Sequence, residues 1–140
     1  MRRERICGLL LLALIWSLLV PLAHAGEVVL IGHPALPRLD RETVERIFTG
    51  KVVEVGGIRV TPIDMPVGDA VRNRFLVRWL GKDEEHYTAY WTVRRYVGKG
   101  VPPQEAANTA EVIRLVTTRP GCIGYIEEAE LRAGLNVVAR

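Results

Sequence analysis

Residues 61–75, TPIDMPVGDAVRNRF, place a β-like run, a glycine loop and a helix start in succession. Unpaired backbone N–H groups at such a helix start can hold an anion, helped by the helix dipole. Arg72 and Arg74 fall in the first turns and could add charged hydrogen bonds. Asp69 opposes this use. As an N-cap, its carboxylate takes those same N–H groups and repels an incoming anion. Taken alone, the segment reads first as a plain capped helix.

Other chemistries are thinly supplied. The only serine is Ser17, so serine nucleophiles and serine-rich phosphate loops are excluded downstream of it. Beyond residue 25 the histidines are His33 and His86, on different elements, with no neighbouring Cys or His at ligand spacing. No metal site is expected, because zinc and copper sites draw on several such ligands. His33 reads as a loop histidine before a proline. Cys122 follows Pro-Gly and enters an apolar strand, the setting of a buried, inert thiol. Asp64, Glu127 and Glu128 lie near strand ends, where α/β proteins place ligands. The adjacent pair reads as a solvated helix start. Tyr87, Tyr90 and Trp91 recur at helical spacing and read as core. No nucleophile–base pair assembles from these residues, and no catalytic residue or cofactor is expected. A pocket joining Asp64, His33 and Lys99 would reopen the enzyme reading.

The N-terminal segment sets the compartment. Arg2, Arg3 and Arg5 precede an apolar run from Ile6 to Val20. Pro21 breaks the run, and Ala23-His24-Ala25 supplies a small–x–small ending. Residues 1–25 are predicted to be a secretory signal cut after Ala25. The run is 15 residues, against the roughly 20 that a spanning helix needs. No stable membrane span is expected after cleavage, and the expected location is the periplasm. The remaining 115 residues hold 16 basic and 15 acidic side chains, a net of +1. A nucleic-acid partner is not supported. One cysteine remains, so the core must stabilise the fold without an internal disulfide.

The elements that must position these residues are legible in outline. Residues 27–31, EVVLI, are read as a strand buried on both faces, on the continuous apolar run that follows Glu27. Asp40 is placed to cap a helix carrying Val44, Ile47 and Phe48, with Leu39 and Val44 as a hydrophobic staple and Gly50 at its end. Gly56-Gly57 predicts a two-residue hairpin, whose second arm runs on to Ile63. Asp69 caps a helix with Val71, Phe75, Leu76, Trp79 and Leu80 inward and Gly81 at its end. Asp83 caps another, burying Tyr87, Tyr90, Trp91, Val97 and the stem of Arg94. Gly98-Lys99-Gly100 and Pro102-Pro103 break the chain. Residues 108–111, NTAE, begin a fourth helix with Val112, Ile113, Leu115 and Val116 inward. Residues 122–126 form a strand. A turn over 127–132 and a strand over 135–138 follow. The class is α/β, with about four helices flanking a small mixed sheet.

Three blocks carry a family likeness. Residues 41–51, RETVERIFTGK, end in an Ile-Phe-x-Gly-Lys signature. Residues 58–64 lead into the glycine loop and the helix with Phe75. Residues 118–125, TRPGCIGY, match a Thr-Pro-Gly-Ala-Ile-Gly-Tyr pattern. In this order the blocks resemble the substrate-binding proteins of phosphate ABC transporters. The resemblance implies one lobe of a type 2 periplasmic-binding-protein fold over residues 26–140, where full family members have two. It implies a non-catalytic, solute-binding-like protein with phosphate or another small oxyanion as ligand. Carried over by position, the ligand would sit near Gly68, Asp69, Ala70 and Arg72, with Lys99 as an outlying contributor. Gly68 keeps the family's glycine, while Asp69 stands where a hydroxyl is expected and Ala70 offers none. The alternative is a lobe without ligand, an accessory protein of the cell envelope that binds another protein or itself.

Overall fold

The computed structural model describes residues 26–140. The expected signal segment and its expected cut after Ala25 lie outside the described residues.

The first strand, β1 (Val28–Gly32), is buried along its whole length, as its unbroken apolar run requires. Helix α1 (Arg41–Phe48) starts where Asp40 accepts a 2.7 Å hydrogen bond from the Thr43 N–H, and buries Val44, Ile47 and Phe48. The hairpin is shorter than its apolar run suggests. Strands β2 (Glu54–Val55) and β3 (Ile58–Arg59) pair only with each other, around Gly56 and Gly57, both at positive φ. The chain then passes Val60 and joins the main sheet as β4 (Thr61–Asp64).

Asp69 caps α2 (Ala70–Phe75), which widens into π-type turns over Leu76–Leu80 and stops at Gly81. Phe75, Leu76, Trp79 and Leu80 are buried, whereas Val71 is only partly so. Helix α3 (Glu84–Tyr96) buries Tyr87 and Trp91. Val97, expected on that buried face, is 54% exposed. The helix has ended by then: Val97 has left helical geometry and the chain turns away at Gly98.

Strand β5 (Gln104–Glu105), absent from the sequence reading, adds to the far side of β4. Helix α4 (Thr109–Thr118) opens as the capping residues predict. Asn108 accepts from the Glu111 N–H at 3.0 Å, and Glu111 reaches back to the Ala107 N–H at 2.7 Å. Strand β6 (Cys122–Glu127), a short 3-10 turn over Glu128–Glu130 and β7 (Asn136–Ala139) complete the chain.

The sheet order is β5-β4-β6-β1-β7. Strand β4 runs parallel to β5 and β6, and β1 runs antiparallel to β6 and β7. The result is one small mixed sheet flanked by four helices. Phe48, Phe75 and Tyr125 meet in the core, the last two stacked with ring centroids 4.0 Å apart. No helix among the described residues is long and apolar enough to cross a membrane.

Candidate functional site

The sheet order brings four carboxylates to one edge. Glu105 ends β5, Asp64 ends β4, Glu127 ends β6, and Glu27 precedes the antiparallel β1. Helix α2 and its π-type extension lay three arginines along this row. Arg74 pairs with Glu127, and Arg78 pairs with Glu27 at 2.7 Å. Beside these two pairs an open groove of about 570 Å³ is lined by Gly26, Val28, Asn73 and Val77 as well.

Arg72 is the third arginine, and it is buried. Its guanidinium grips Glu84 through two 2.7 Å hydrogen bonds and donates to the Met65 carbonyl at 2.8 Å. Asp64 and Glu105 each lie 3.8 Å from it. Burial works against the Arg72 charge, but the Glu84 hydrogen bonds and the Asp64 charge outweigh it and raise its pKa. A fork-to-fork pair of this kind holds geometry as well as charge.

Asp64 is buried under α3 and β6. Tyr125 Oη donates to its Oδ1 at 2.8 Å while accepting from the Met65 N–H at 3.0 Å. Tyr87 Oη lies 3.1 Å from Oδ2 and 3.0 Å from the Phe48 carbonyl, so one hydroxyl proton faces two acceptors. Burial pushes the Asp64 carboxyl up to about 6, against the pull of Arg72 and the two tyrosines. A protonated Asp64 resolves the sharing: it donates to Tyr87, and Tyr87 donates to Phe48. Burial and the neighbouring Asp64 push both tyrosine hydroxyls upward. In this network Asp64, Arg72, Tyr87 and Tyr125 are all buried, while Glu105 at its margin is half exposed. The network's chemistry is the locking of α2, α3 and β4 onto β6.

The expected anion loop is occupied by its own side chain. Asp69 Oδ1 accepts from the Val71 N–H at 2.8 Å and the Arg72 N–H at 3.1 Å. Gly68, at φ +87°, is exposed beside it, and Ala70 is exposed with no side-chain donor. Lys99 belongs to another neighbourhood, the loop after α3, where its carbonyl accepts from Arg94. No hydrogen bond joins Asp64, His33 and Lys99. His33 sits where β6 begins, its N–H donating to the Cys122 carbonyl and its Nδ1 accepting from the Ala35 N–H. Cys122 is buried, and burial raises its thiol pKa. Glu128 is partly buried and pairs with Arg140. Among the described residues no cluster of three or more His, Cys, Asp or Glu could hold a metal ion.

Sequence reasoning singled out Arg72 as an anion ligand and passed over Glu84 and Glu105. The available signal was the spacing of Arg72, Arg74 and Arg78, set against acidic residues at successive strand ends.

No protein-family model matches the sequence, and no curated protein matches it. Solved structures do share its fold. A candidate phosphate ABC transporter substrate-binding protein from Clostridium perfringens, solved with bound phosphate, matches 81% of this chain and 44% of its own, at 19% identity and TM-score 0.64. An ABC-type phosphate transport receptor from Vibrio cholerae matches 81% of this chain and 45% of its own, at 13% identity and TM-score 0.61. PstS from Borrelia burgdorferi matches 81% of this chain and 47% of its own, at 18% identity and TM-score 0.57. The chain thus spans less than half the length of these structures, and at such identities the likeness is one of fold.

Proposed function

We propose that this chain is an exported, non-catalytic lobe of the solute-binding type that serves the periplasm as an accessory protein, binding another envelope protein or its own copy. The carrying observation is the self-occupied loop. Asp69 fills the α2 start, and Arg72 is committed to Glu84 and the Met65 carbonyl. An oxyanion arriving there would meet a carboxylate, not free donors. Arg74 and Arg78 are likewise matched by Glu127 and Glu27.

A second reading keeps phosphate or another small oxyanion as ligand at Gly68, Asp69, Ala70 and Arg72. It is favoured by the fold likeness to a structure that holds phosphate. Calorimetry separates the two. The accessory reading expects no saturable heat at millimolar phosphate from a folded sample. Saturation at micromolar phosphate would replace it with the oxyanion reading. Light scattering and pull-down from envelope extract test the partner half: a strictly monomeric protein with no partner counts against it.

A further inference from the structure

Among the described residues, four of the seven large apolar side chains that stand exposed fall within nine residues at the end of α3. Val93 is 63% exposed, Tyr96 92%, Val97 54% and Val101 75%. Single exposed apolar residues are ordinary, but a cluster of this kind marks a contact surface. Val93 and Tyr96 share one helix face by their spacing of three, and Val97 follows at the helix end. The loop that follows folds back on the helix end. Arg94 Nη2 donates to the Lys99 carbonyl at 3.0 Å and approaches the Gly50 carbonyl at 3.4 Å.

The stretch of chain that forms this patch carries charge of one sign. Residues 86–104 contain no Asp or Glu, but hold Arg94, Arg95 and Lys99. Lys51 joins them next to Gly50, which packs against Trp91. Among the described residues none of these four cations is in an ion pair, in contrast to the arginines of α2. Cations in the last turn of a helix complement its dipole. That role does not explain a tyrosine almost wholly in solvent between Arg95 and Val97.

We infer that the α3 end and its loop, centred on Tyr96 with Arg95 and Lys99, form a docking surface for an anionic lipid membrane. A second copy fits poorly, because a symmetric contact would set Arg95 and Lys99 against their own counterparts. Protein hot spots are built from packed aromatic and arginine anchors, with valine and lysine under-represented. A headgroup layer rewards what is present here: shallow apolar side chains, an interfacial tyrosine and unpaired cations. The inference stands whether or not the α2 loop holds an anion.

The test uses the full chain in whatever processed form export leaves it, with phosphatidylglycerol and phosphatidylcholine vesicles. Amide hydrogen exchange over residues 92–103 gives a readout local to the patch, independent of any anchoring by the N-terminal segment. Anionic vesicles are expected to slow exchange there, zwitterionic ones not, and rising ionic strength to reverse the effect. R95E/K99E is expected to weaken the protection by roughly tenfold or more. Y96S/V97S, at exposed positions, should weaken it while leaving thermal unfolding unchanged. Absent protection, equal protection by both vesicle types, or indifference to R95E/K99E overturns the inference. Protection by polyglutamate but not by anionic vesicles overturns it in favour of an acidic protein partner.

Discussion

At the scale of single residues, Asp64 couples the fold to pH. An unfolded aspartate titrates near 3.8, and burial raises this one to about 6. Between those values the folded chain binds the extra proton, so this group's contribution to stability falls as pH rises. The contribution lost by pH 7 is about 3 kcal/mol. Asp40 and Asp83, lowered by hydrogen bonds to Thr43 and His86, push the other way from exposed positions. Comparison with Asp64→Asn isolates the buried group. Urea midpoints for the unsubstituted chain should fall between pH 4 and pH 7, and the substitution should flatten that part of the profile. An unchanged slope in the variant would refute the assignment. Burial is the leading cause of the shift, and it outweighs the nearby Arg72 charge, which favours the ionised carboxylate.

At the scale of elements, glycine geometry and caps carry much of the register. Gly121 sits at φ +77° before β6, and a Cβ there would lie 2.0 Å from the Arg59 carbonyl oxygen. That carbonyl belongs to backbone and cannot step aside cheaply. Gly121→Ala should therefore cost about 3 kcal/mol or more, read as a drop in the urea midpoint. A cost under about 1 kcal/mol would mean that the turn is looser than its geometry implies.

The helix starts were legible in the sequence because a cap is a local device. Asp40, Asp69, Asp83 and Asn108 each bind N–H groups two or three residues ahead. Strand β5 was not legible, since two exposed polar residues carry no periodicity and pair only because β4 lies alongside. The π-type turns over Leu76–Leu80 were missed for a similar reason: the apolar stripe looks the same in either winding. Val97 was misjudged because periodicity continues past the residue at which backbone geometry ends the helix. The candidate site was half legible. Asp69 as a cap follows from its position, whereas the Arg72 partners Glu84 and Glu105 come from 12 and 33 residues downstream, distances that no local pattern encodes.

At the scale of the whole molecule, the fold matches less than half of each phosphate-transport structure it resembles, and its described strands form one five-stranded sheet beside the small hairpin. At the edge that could receive a ligand the arginines of α2 and its extension are taken up by internal ion pairs, which is why the proposal turns to docking rather than capture. Strand β7 contributes buried Val138 and Ala139 and covers one side of β1. Removal of residues 136–140 should leave β1 with an open edge and abolish the cooperative unfolding transition in near-ultraviolet circular dichroism. A truncated chain that still melted sharply would show the strand to be dispensable.

The placement of β1 between β6 and β7 also fixes an order of events in time. Among the described strands, the one that comes first in the sequence has for neighbours the two that come last. Its apolar side chains must wait for almost the whole chain before they find their cover, and contacts so distant in sequence close slowly.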